Sequence, residues 1–523
     1  MLLKQVYVLA KDYFLKSEQR YYALTLLALV IGFELFSVYM AVLLNEWNNQ
    51  FYTSLQELNL AHFWAAIKRF CWLAVFFLVT ALIQLFVNLW MKLEWRNWMT
   101  RKYLDNWTRT FAFYGSKVIN NESDNPDQRL TQDIQEFIDT STSLFIGFIN
   151  ACTTLLSFGV ILWGLSGIET FKLFGHTIDV HGWLVWVAFI YALTATFIMH
   201  LIGRVLYNLL FRQENREADL RYSLMRVRIF AESIALYKAN DFEKDSIFTR
   251  LFRVIENTKL IIKKNLQMVS FNTFYRNASI VFPFIIMSPK FFSGAIKLGD
   301  LTQISGAFSN VQGALSWVID SYASIANLKA NVYRLNGFNE SVARWNEAQA
   351  QLKEVVNTEE AKSISLQNLE LMLPNQQVLF TCPKLNFSQG NYLITGPSGS
   401  GKSTLFRAIS GIWPFVKGQI NIPGNLKIMF LPQVSYMPIG TLHQALCYPD
   451  MSQEVPAKLI TLLQSLGLDQ MIERLEEVEE WSRVLSLGEQ QKIAFIRTVL
   501  AEPDVVFLDE ATSAMDEESE AAC

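Results

Sequence analysis

The sequence predicts a polytopic α-helical membrane domain followed by an α/β domain of the phosphate-binding-loop type. Three observations carry this. Six stretches in the first two-thirds of the chain are apolar enough, or nearly so, to be spans. A polar stretch opens after residue 335. Beyond it stands GPSGSGKST (396–404), between an apolar strand-like run (392–395) and a helical run. The organisation expected is a transmembrane domain over 1–335, a helical linker over 336–362 and a nucleotide-binding domain over 363–523.

Composition agrees with a chain partly in lipid. Of 523 residues, 51% are hydrophobic and 14% aromatic, and the mean hydropathy is +0.20. The formal net charge of -3 gives no global basic field, so nucleic acid is not an expected partner. Five cysteines (Cys71, Cys152, Cys382, Cys447, Cys523) lack CxxC spacing, which argues against a disulfide framework or a zinc site. The first apolar run has no small-residue cleavage site after it and reads as a retained span.

A span needs about 20 mainly apolar residues. Residues 21–44, 70–90, 144–165 and 183–203 meet that requirement directly. Residues 274–292, with Pro283 and Pro289, and 304–328, rich in Ser, Asn and Gln, are weaker. Soluble buried helices are the alternative for these two. As a span, 304–328 is expected to face a bundle interior or a wet cavity. Lysine plus arginine counts set the orientation: 7 in the 91–143 loop and 13 in the 204–270 loop, against 2, 1 and 2 in 45–69, 166–182 and 288–303. The two long loops and both termini are therefore expected in the cytoplasm. Residues 2–20, with Lys4, Lys11, Lys16 and Arg20, read either as an amphipathic helix on the inner membrane face or as a plain helical lead-in.

Polar side chains inside these spans are Glu34, Gln84, Asn88, Arg276, Asn277 and Asp320. Ionisable groups at membrane depth are costly and mark a pathway or a paired interior site. Glu34 and Asp320 are the cavity candidates. An internal structural pair, or a position near a span end that reaches water, is the competing reading for each.

In the loop Gly396, Pro397, Ser398, Gly399, Ser400, Gly401, Lys402, Ser403 and Thr404, glycines let backbone N–H groups point at phosphates, assisted by the following helix N-terminus. Lys402 is placed for the β- and γ-phosphates of ATP and the Ser403 hydroxyl for Mg²⁺. VVFLDE (505–510) is an apolar strand ending in two acids about 105 residues after the loop. Asp509 is placed to hold the Mg²⁺ shell, and Glu510 to polarise the attacking water.

Between these motifs lies LSLGEQQ (485–491), which resembles the ABC signature, and the motif set is ABC-like in order and spacing. The resemblance implies an exporter-type ABC fold, with spanning helices that extend far into the cytoplasm. It implies that Gln433 in FLPQ is the Q-loop glutamine, sensing the γ-phosphate and sitting by the metal, and that SAMD (513–516) is the D-loop, bringing Asp516 to the nucleotide. Ser486 and Gly488, with Glu489 in the same motif, would serve the ATP held by a second copy. The cycle so implied needs two chains, because each carries one domain of each kind.

The membrane half also carries EWRNWMTRKYLDNW (94–107), DNPDQRLTQDIQEF (124–137) and RYSLMRVRIFAESIALY (221–237); GTLHQALCYP (440–449) follows in the nucleotide half. These words are similar to one ABC group: the peroxisomal acyl-CoA half-transporters (subfamily D) and the bacterial SbmA/BacA-like transporters. The 221–237 segment resembles the EAA-like coupling region, or is an ordinary solvated basic helix. Three departures stand out. Leu487 replaces a signature glycine, no aromatic upstream of the loop matches an adenine stack, and the chain stops 13 residues after Glu510 without a switch histidine, His443 being in the wrong place. A C-terminally incomplete ATP-binding domain that binds ATP but hydrolyses it poorly is therefore the expectation.

The resemblance implies an ATP-driven importer of hydrophilic cargo such as peptides or cobalamin-like compounds, in a bacterial inner membrane. The alternatives are an acyl-CoA or lipid transporter and an ATP-gated channel or regulatory membrane protein.

Overall fold

The computed structural model describes residues 2–119, 126–173, 176–357, 363–450 and 457–522. Cys523, the last linker residues 358–362, and residues 124 and 125 of the 124–137 segment lie outside the described residues. The chain forms two compact units: Met1–Asp105 with Asn125–Phe338, and Asn106–Asp124 with Asn339–Cys523.

The first unit is a bundle of long helices. After α1 (Leu2–Lys11) come α2 (Arg20–Gln56), α3 (Leu60–Arg109), α4 (Ala112–Ile119), which belongs to the second unit, and α5 (Pro126–Ser166). Then follow α6 (Trp183–Ile229), α7 (Ala231–Leu236), α8 (Asn240–Phe292), α9 (Leu298–Asp320) and α10 (Tyr322–Val355). Among the described residues, α2, α3, α5 and α6 are long and apolar enough to cross a membrane. At 1.5 Å per residue the 50 residues of α3 run about 75 Å, well beyond a ~30 Å hydrocarbon core. The stretches expected as loops on either side of residue 105 are thus largely helical extensions of the spans.

The fifth predicted span lies inside α8, with Pro283 and Pro289 within the helix. The sixth is shorter than expected. The helix breaks after Asp320 and α10 starts at Tyr322, so residues 322–328 belong to a separate helix. Apolarity and polarity alternate too evenly across 304–328 for composition to mark that break. Polar residues at the start of α9 meet neighbouring helices. Asn49 Nδ2 of α2 donates to Asp300 Oδ1 (2.9 Å) and Gln303 Oε1 (2.6 Å), and Ser305 Oγ to the Ile280 carbonyl (3.2 Å). Gly299 fits because a Cβ there would stand 2.2 Å from the Asn49 carbonyl oxygen. A core of Phe158, Leu162, Leu184, Ala188, Met287, Ile304, Ala307, Phe308 and Val311 closes α5, α6, α8 and α9 together.

Sequence patterning did not anticipate the hairpin β1 (Ile168–Leu173) and β2 (His176–His181), paired antiparallel with Thr170 opposite Asp179. Its runs are short and sit in a segment read only as an outer loop. Glu169 of β1 pairs with Lys290 of α8 at 2.5 Å.

In the second unit a four-stranded sheet runs in the order β3 (Val356–Asn357), β6 (Val416–Asn421), β4 (Ile364–Met372), β5 (Val378–Phe387). β7 (Ile428–Leu431) and β10 (Val505–Leu508) form a separate parallel pair. Between them lie β8 (Gly440–Thr441), α12 (Leu442–Cys447), α13 (Ala457–Ser465), β9 (Val478–Glu479), α14 (Trp481–Val484) and α15 (Leu487–Ala501). α11 (Lys402–Ile409) follows the phosphate loop, and α16 (Glu517–Ala522) is the last helix described. Leu366, Leu371, Leu405, Ile409, Val416 and Ile420 form one core, and Leu442, Leu459, Leu463, Trp481, Ile493 and Ile496 another. The run 392–395, expected as a strand, is not paired into a sheet, and Leu393 is 89% exposed. Its apolar letters match a strand, but pairing is a tertiary outcome that they do not encode.

Candidate nucleotide site

The parallel register of β7 and β10 builds the site. Leu508 lies opposite Leu431. Two residues beyond each strand, the chain therefore brings Gln433 to Glu510, and Gln433 Nε2 donates to Glu510 Oε2 at 2.9 Å. The Asp509 amide donates to the Leu431 carbonyl (3.0 Å), extending the ladder by one bond and fixing the backbone at Asp509. α11 packs on this pair through Phe406 against Phe507, which stacks on Phe430 with ring centres 4.7 Å apart. That packing sets Ser403, in the first turn of α11, so that its Oγ donates to Asp509 Oδ1 at 2.9 Å. Three motifs separated in sequence thus meet at the ends of two strands and one helix.

The loop has the backbone its glycines permit. Gly399 (φ +80) and Gly401 (φ +95) take left-handed conformations that disfavour other residues. Lys402 Nζ donates to the carbonyls of Gly396 (2.7 Å) and Pro397 (3.1 Å), so the ammonium lies over the loop. Pro397, Ser398, Ser400 and Thr404 complete the turn and the start of α11. A hydroxyl beside a carboxylate is hard-oxygen chemistry that suits Mg²⁺. Glu510 itself sits at φ +51, uncommon for a non-glycine residue and costing about 1–3 kcal/mol where the surroundings hold it.

The signature segment opens α15. Ser486 is its N-cap, in a capping box with Glu489: Ser486 N and Oγ each donate to Glu489 Oε2 at 2.8 Å, and Glu489 N donates back to Ser486 Oγ at 3.3 Å. Glu489 closes the cap through Oε2. Leu487, the departure from the signature, is 62% exposed at the first helical position. Gly488 differs: a Cβ there would come 2.8 Å from the Ala514 carbonyl oxygen. Asp516 accepts from the Ser519 amide (3.2 Å), and hydrogen bonding from Ser519 holds its carboxyl below the usual range.

Two residues of this region escaped the sequence reading. Gln491 Nε2 reaches Ser513 Oγ (3.3 Å) and the Gln433 carbonyl (3.4 Å), while its Oε1 accepts from the Ala514 amide (3.0 Å). It ties α15 to the segments after β7 and β10. Arg497 is buried and donates to the carbonyls of Ala445 (2.7 Å) and Tyr436 (2.8 Å). Burial pulls its pKa down to about 10, so it stays charged at neutral pH. A buried Gln and Arg on one helix were the available signal, but only tertiary contacts show what they bind.

The membrane candidates part ways. Glu34 is buried, with Asn150 Nδ2 donating to Oε1 (2.5 Å) and Gln84 Nε2 to Oε2. It forms an internal cluster across α2, α3 and α5. Asp320 is exposed at the end of α9. Gln84→Leu removes one of the two donors to a membrane-buried carboxylate and is expected to cost about 0.6–1.7 kcal/mol. Thermal unfolding in detergent measures it, and an unchanged midpoint contradicts it.

Comparison with known proteins bears on the same residues. Residues 9–292 match the family described as ABC transporter transmembrane region 2, and residues 383–513 match ABC transporter. An "Uncharacterized ABC transporter ATP-binding protein" of Haemophilus influenzae is 34% identical over 94% of this chain and 81% of its own length. The "Inner membrane ABC transporter ATP-binding protein YddA" of Escherichia coli is 28% identical over 99% and 91%. The human "Lysosomal cobalamin transporter ABCD4" is 27% identical over 95% and 85%.

Proposed function

From the premise that this chain belongs to the ABC transporter family and is homologous to its subfamily D members, we propose that it is a half-transporter of the SbmA/BacA-like group, working as a homodimer to import hydrophilic solutes such as peptides or cobalamin-like compounds. The membrane and ATPase regions are fused in one chain, and ATP hydrolysis is coupled to transport. The observation that carries the site reading is the convergence of Ser403 on Asp509 and Gln433 on Glu510.

In this reading residues 396–404 hold the phosphates, with Lys402 supplying the cation that meets the β- and γ-oxygens. Ser403 and Asp509, with Gln433 beside them, would hold Mg²⁺, which neutralises phosphate charge. Glu510 orients the attacking water and takes its proton, and Gln433 fixes the direction of that carboxylate. Ser486 and Gly488 complete the site of the second copy, and Glu489 acts through the cap that presents Ser486. Asp516, in the D-loop segment, lies by the nucleotide, and its carboxylate accepts from the Ser519 amide in α16. The transmembrane domain occupies 1–335, the linker 336–362 and the nucleotide-binding domain 363–523. The membrane is a bacterial inner membrane with both termini cytoplasmic, supported by the lysine and arginine counts and by the Escherichia coli relative's name.

Hydrophilic cargo is supported by the polar α9 and by the cobalamin named for the human relative. One observation favours the lipid or acyl-CoA reading instead. An apolar groove of about 390 Å³ lies between α6 and α8, lined by Ile190, Tyr191, Ile198, Phe271, Phe274 and Phe282 among others. Proteoliposomes separate the two. Concentrative, ATP-dependent uptake of cobalamin or a hydrophilic peptide is expected. ATP-dependent movement of acyl-CoA alone would replace that reading, and flux without concentration would replace the pump by a channel.

A further inference from the structure

We propose that the groove between α6 and α8 seats a resident anionic phospholipid, with its tail in the groove and its phosphate held by Arg204 and Lys263. The proposal rests on the chain's place in a membrane and not on the cargo, because a lipid so held stays with the protein.

The groove is built for a hydrocarbon chain. α6 and α8 run antiparallel: Tyr191 Oη donates to the Tyr275 carbonyl (2.8 Å), and Asn257 Nδ2 to the Leu209 carbonyl (2.8 Å). Between these two points a Cβ on Gly203 would stand 3.7 Å from Met268 Cε. Ala195 and Ala278 are small, so the helix pair keeps a groove of about 390 Å³ between the exposed walls Ile190 and Phe274. From residue 187 to residue 198 it rises about 17 Å, more than half of a ~30 Å hydrocarbon core. The hydroxyls that line it are already engaged. Thr194 Oγ1 donates to the Ile190 carbonyl (2.8 Å), Tyr191 is bonded as above, and Tyr275 Oη lies 3.4 Å from Ser316 Oγ. A polar cargo would find no group to bind here, whereas an alkyl chain leaves every one of these bonds intact.

One end of the groove is basic. Arg204 stands about four turns after Ile190 on α6, and Lys263 about three turns before Phe274 on α8. Both therefore continue the stripes that carry the groove's open walls, and the antiparallel register sets them opposite each other. Both are exposed, and neither forms an ion pair among the described residues. Lys264, beside them, donates to Gln267 Oε1 at 3.0 Å. No Asp or Glu occurs over 200–213 or 257–277 to neutralise them. Arg204 also follows directly on the apolar run 183–203, at the edge of the hydrocarbon where lipid phosphates lie. The other end differs: its cation, Lys290, is paired with Glu169 at 2.5 Å.

A guanidinium facing an ammonium suits a phosphate. Each such charge favours an anionic lipid by about fivefold. Each tail methylene buried in the groove adds about fourfold. The bilayer around α6 already presents phospholipid to the open side, so the occupant is a phospholipid and not a soluble amphiphile.

The test uses the full chain in phosphatidylcholine nanodiscs carrying a trace of phosphatidylglycerol with a photoreactive diazirine in its tail. Crosslinked peptides are mapped by mass spectrometry, and ATP affinity, read with a fluorescent ATP analogue, reports on the fold. Adducts are expected within 187–198 and 271–282, at least about tenfold above those from the matching phosphatidylcholine probe. Arg204→Gln with Lys263→Gln is expected to lower the phosphatidylglycerol adducts by at least about tenfold, to the phosphatidylcholine level. Thr194→Phe, at an exposed lining position, fills the groove and is expected to lower both probes by at least about tenfold. Equal labelling by the two probes overturns the proposal, as does the lack of adducts on these segments or undiminished labelling in either variant. A variant that loses ATP binding is set aside, and the other decides. Displacement by palmitoyl-CoA but not by unlabelled phosphatidylglycerol would give the groove to an acyl-CoA and overturn the resident lipid. Failure of the import reading leaves all of these outcomes unchanged, which distinguishes the two.

Discussion

Glu510→Gln is expected to lower ATP turnover by about 10²- to 10⁴-fold while leaving ATP binding nearly unchanged. The substitution keeps the side chain's size and its place beside Gln433, whose Nε2 lies 2.9 Å from Glu510 Oε2. It removes only the ability to take a proton from water. The phosphate loop, with Lys402 over the Gly396 and Pro397 carbonyls, is untouched, so the nucleotide still has its cradle. Phosphate release and binding of a fluorescent ATP analogue read the two effects separately. Turnover within tenfold of the parent would sink the assignment of Glu510 as the general base. Equal loss of binding and turnover would point to a structural role, for which the positive φ of Glu510 provides a reason.

Trp345→Ala is expected to destabilise the protein by about 3–5 kcal/mol, the range for emptying a large aromatic from a packed core. The side chain is fully buried and makes one hydrogen bond, from Nε1 to the Thr110 carbonyl, which would be left without that donor. Gly115→Ala perturbs the same contact from the other side. Its Cβ would stand 2.1–2.4 Å from three ring carbons, and such overpacking costs about 1–3 kcal/mol. Because both changes act on one contact, the double variant should lose less than the sum. Thermal unfolding of the four proteins measures this cycle. Additive losses would mean that Gly115 and Trp345 do not share a socket.

Much of the site was legible because its residues are local words. GPSGSGKST encodes its own backbone through Gly399 and Gly401, and VVFLDE encodes a strand followed by acids. Likewise, Ser486 followed three residues later by Glu489 is a capping box whose geometry follows from spacing. Position 487 is exposed on the first turn and tolerates leucine, while position 488 lies against the Ala514 carbonyl and takes glycine. Less legible were Gln491 and Arg497, whose partners lie 22 to 61 residues away in sequence. Glu34 was legible as a costly group at membrane depth, but not as the acceptor for Gln84 and Asn150.

By itself, then, the sequence determined the number of strongly apolar helices, the order of the nucleotide motifs and the turn chemistry of the phosphate loop. Each depends on side chains a few residues apart, where periodicity and glycine placement leave little choice. Tertiary structure alone decided the break of the last span at residue 321, the unpaired state of 392–395 and the grouping of residues 106–124 with the nucleotide unit. It also decided the fork from Arg334 to Asp133, 201 residues apart. The physical reason is common to all four. Whether a strand pairs, a helix stops or a carboxylate is neutralised depends on what another part of the chain brings to it, and composition along one segment carries no record of that partner.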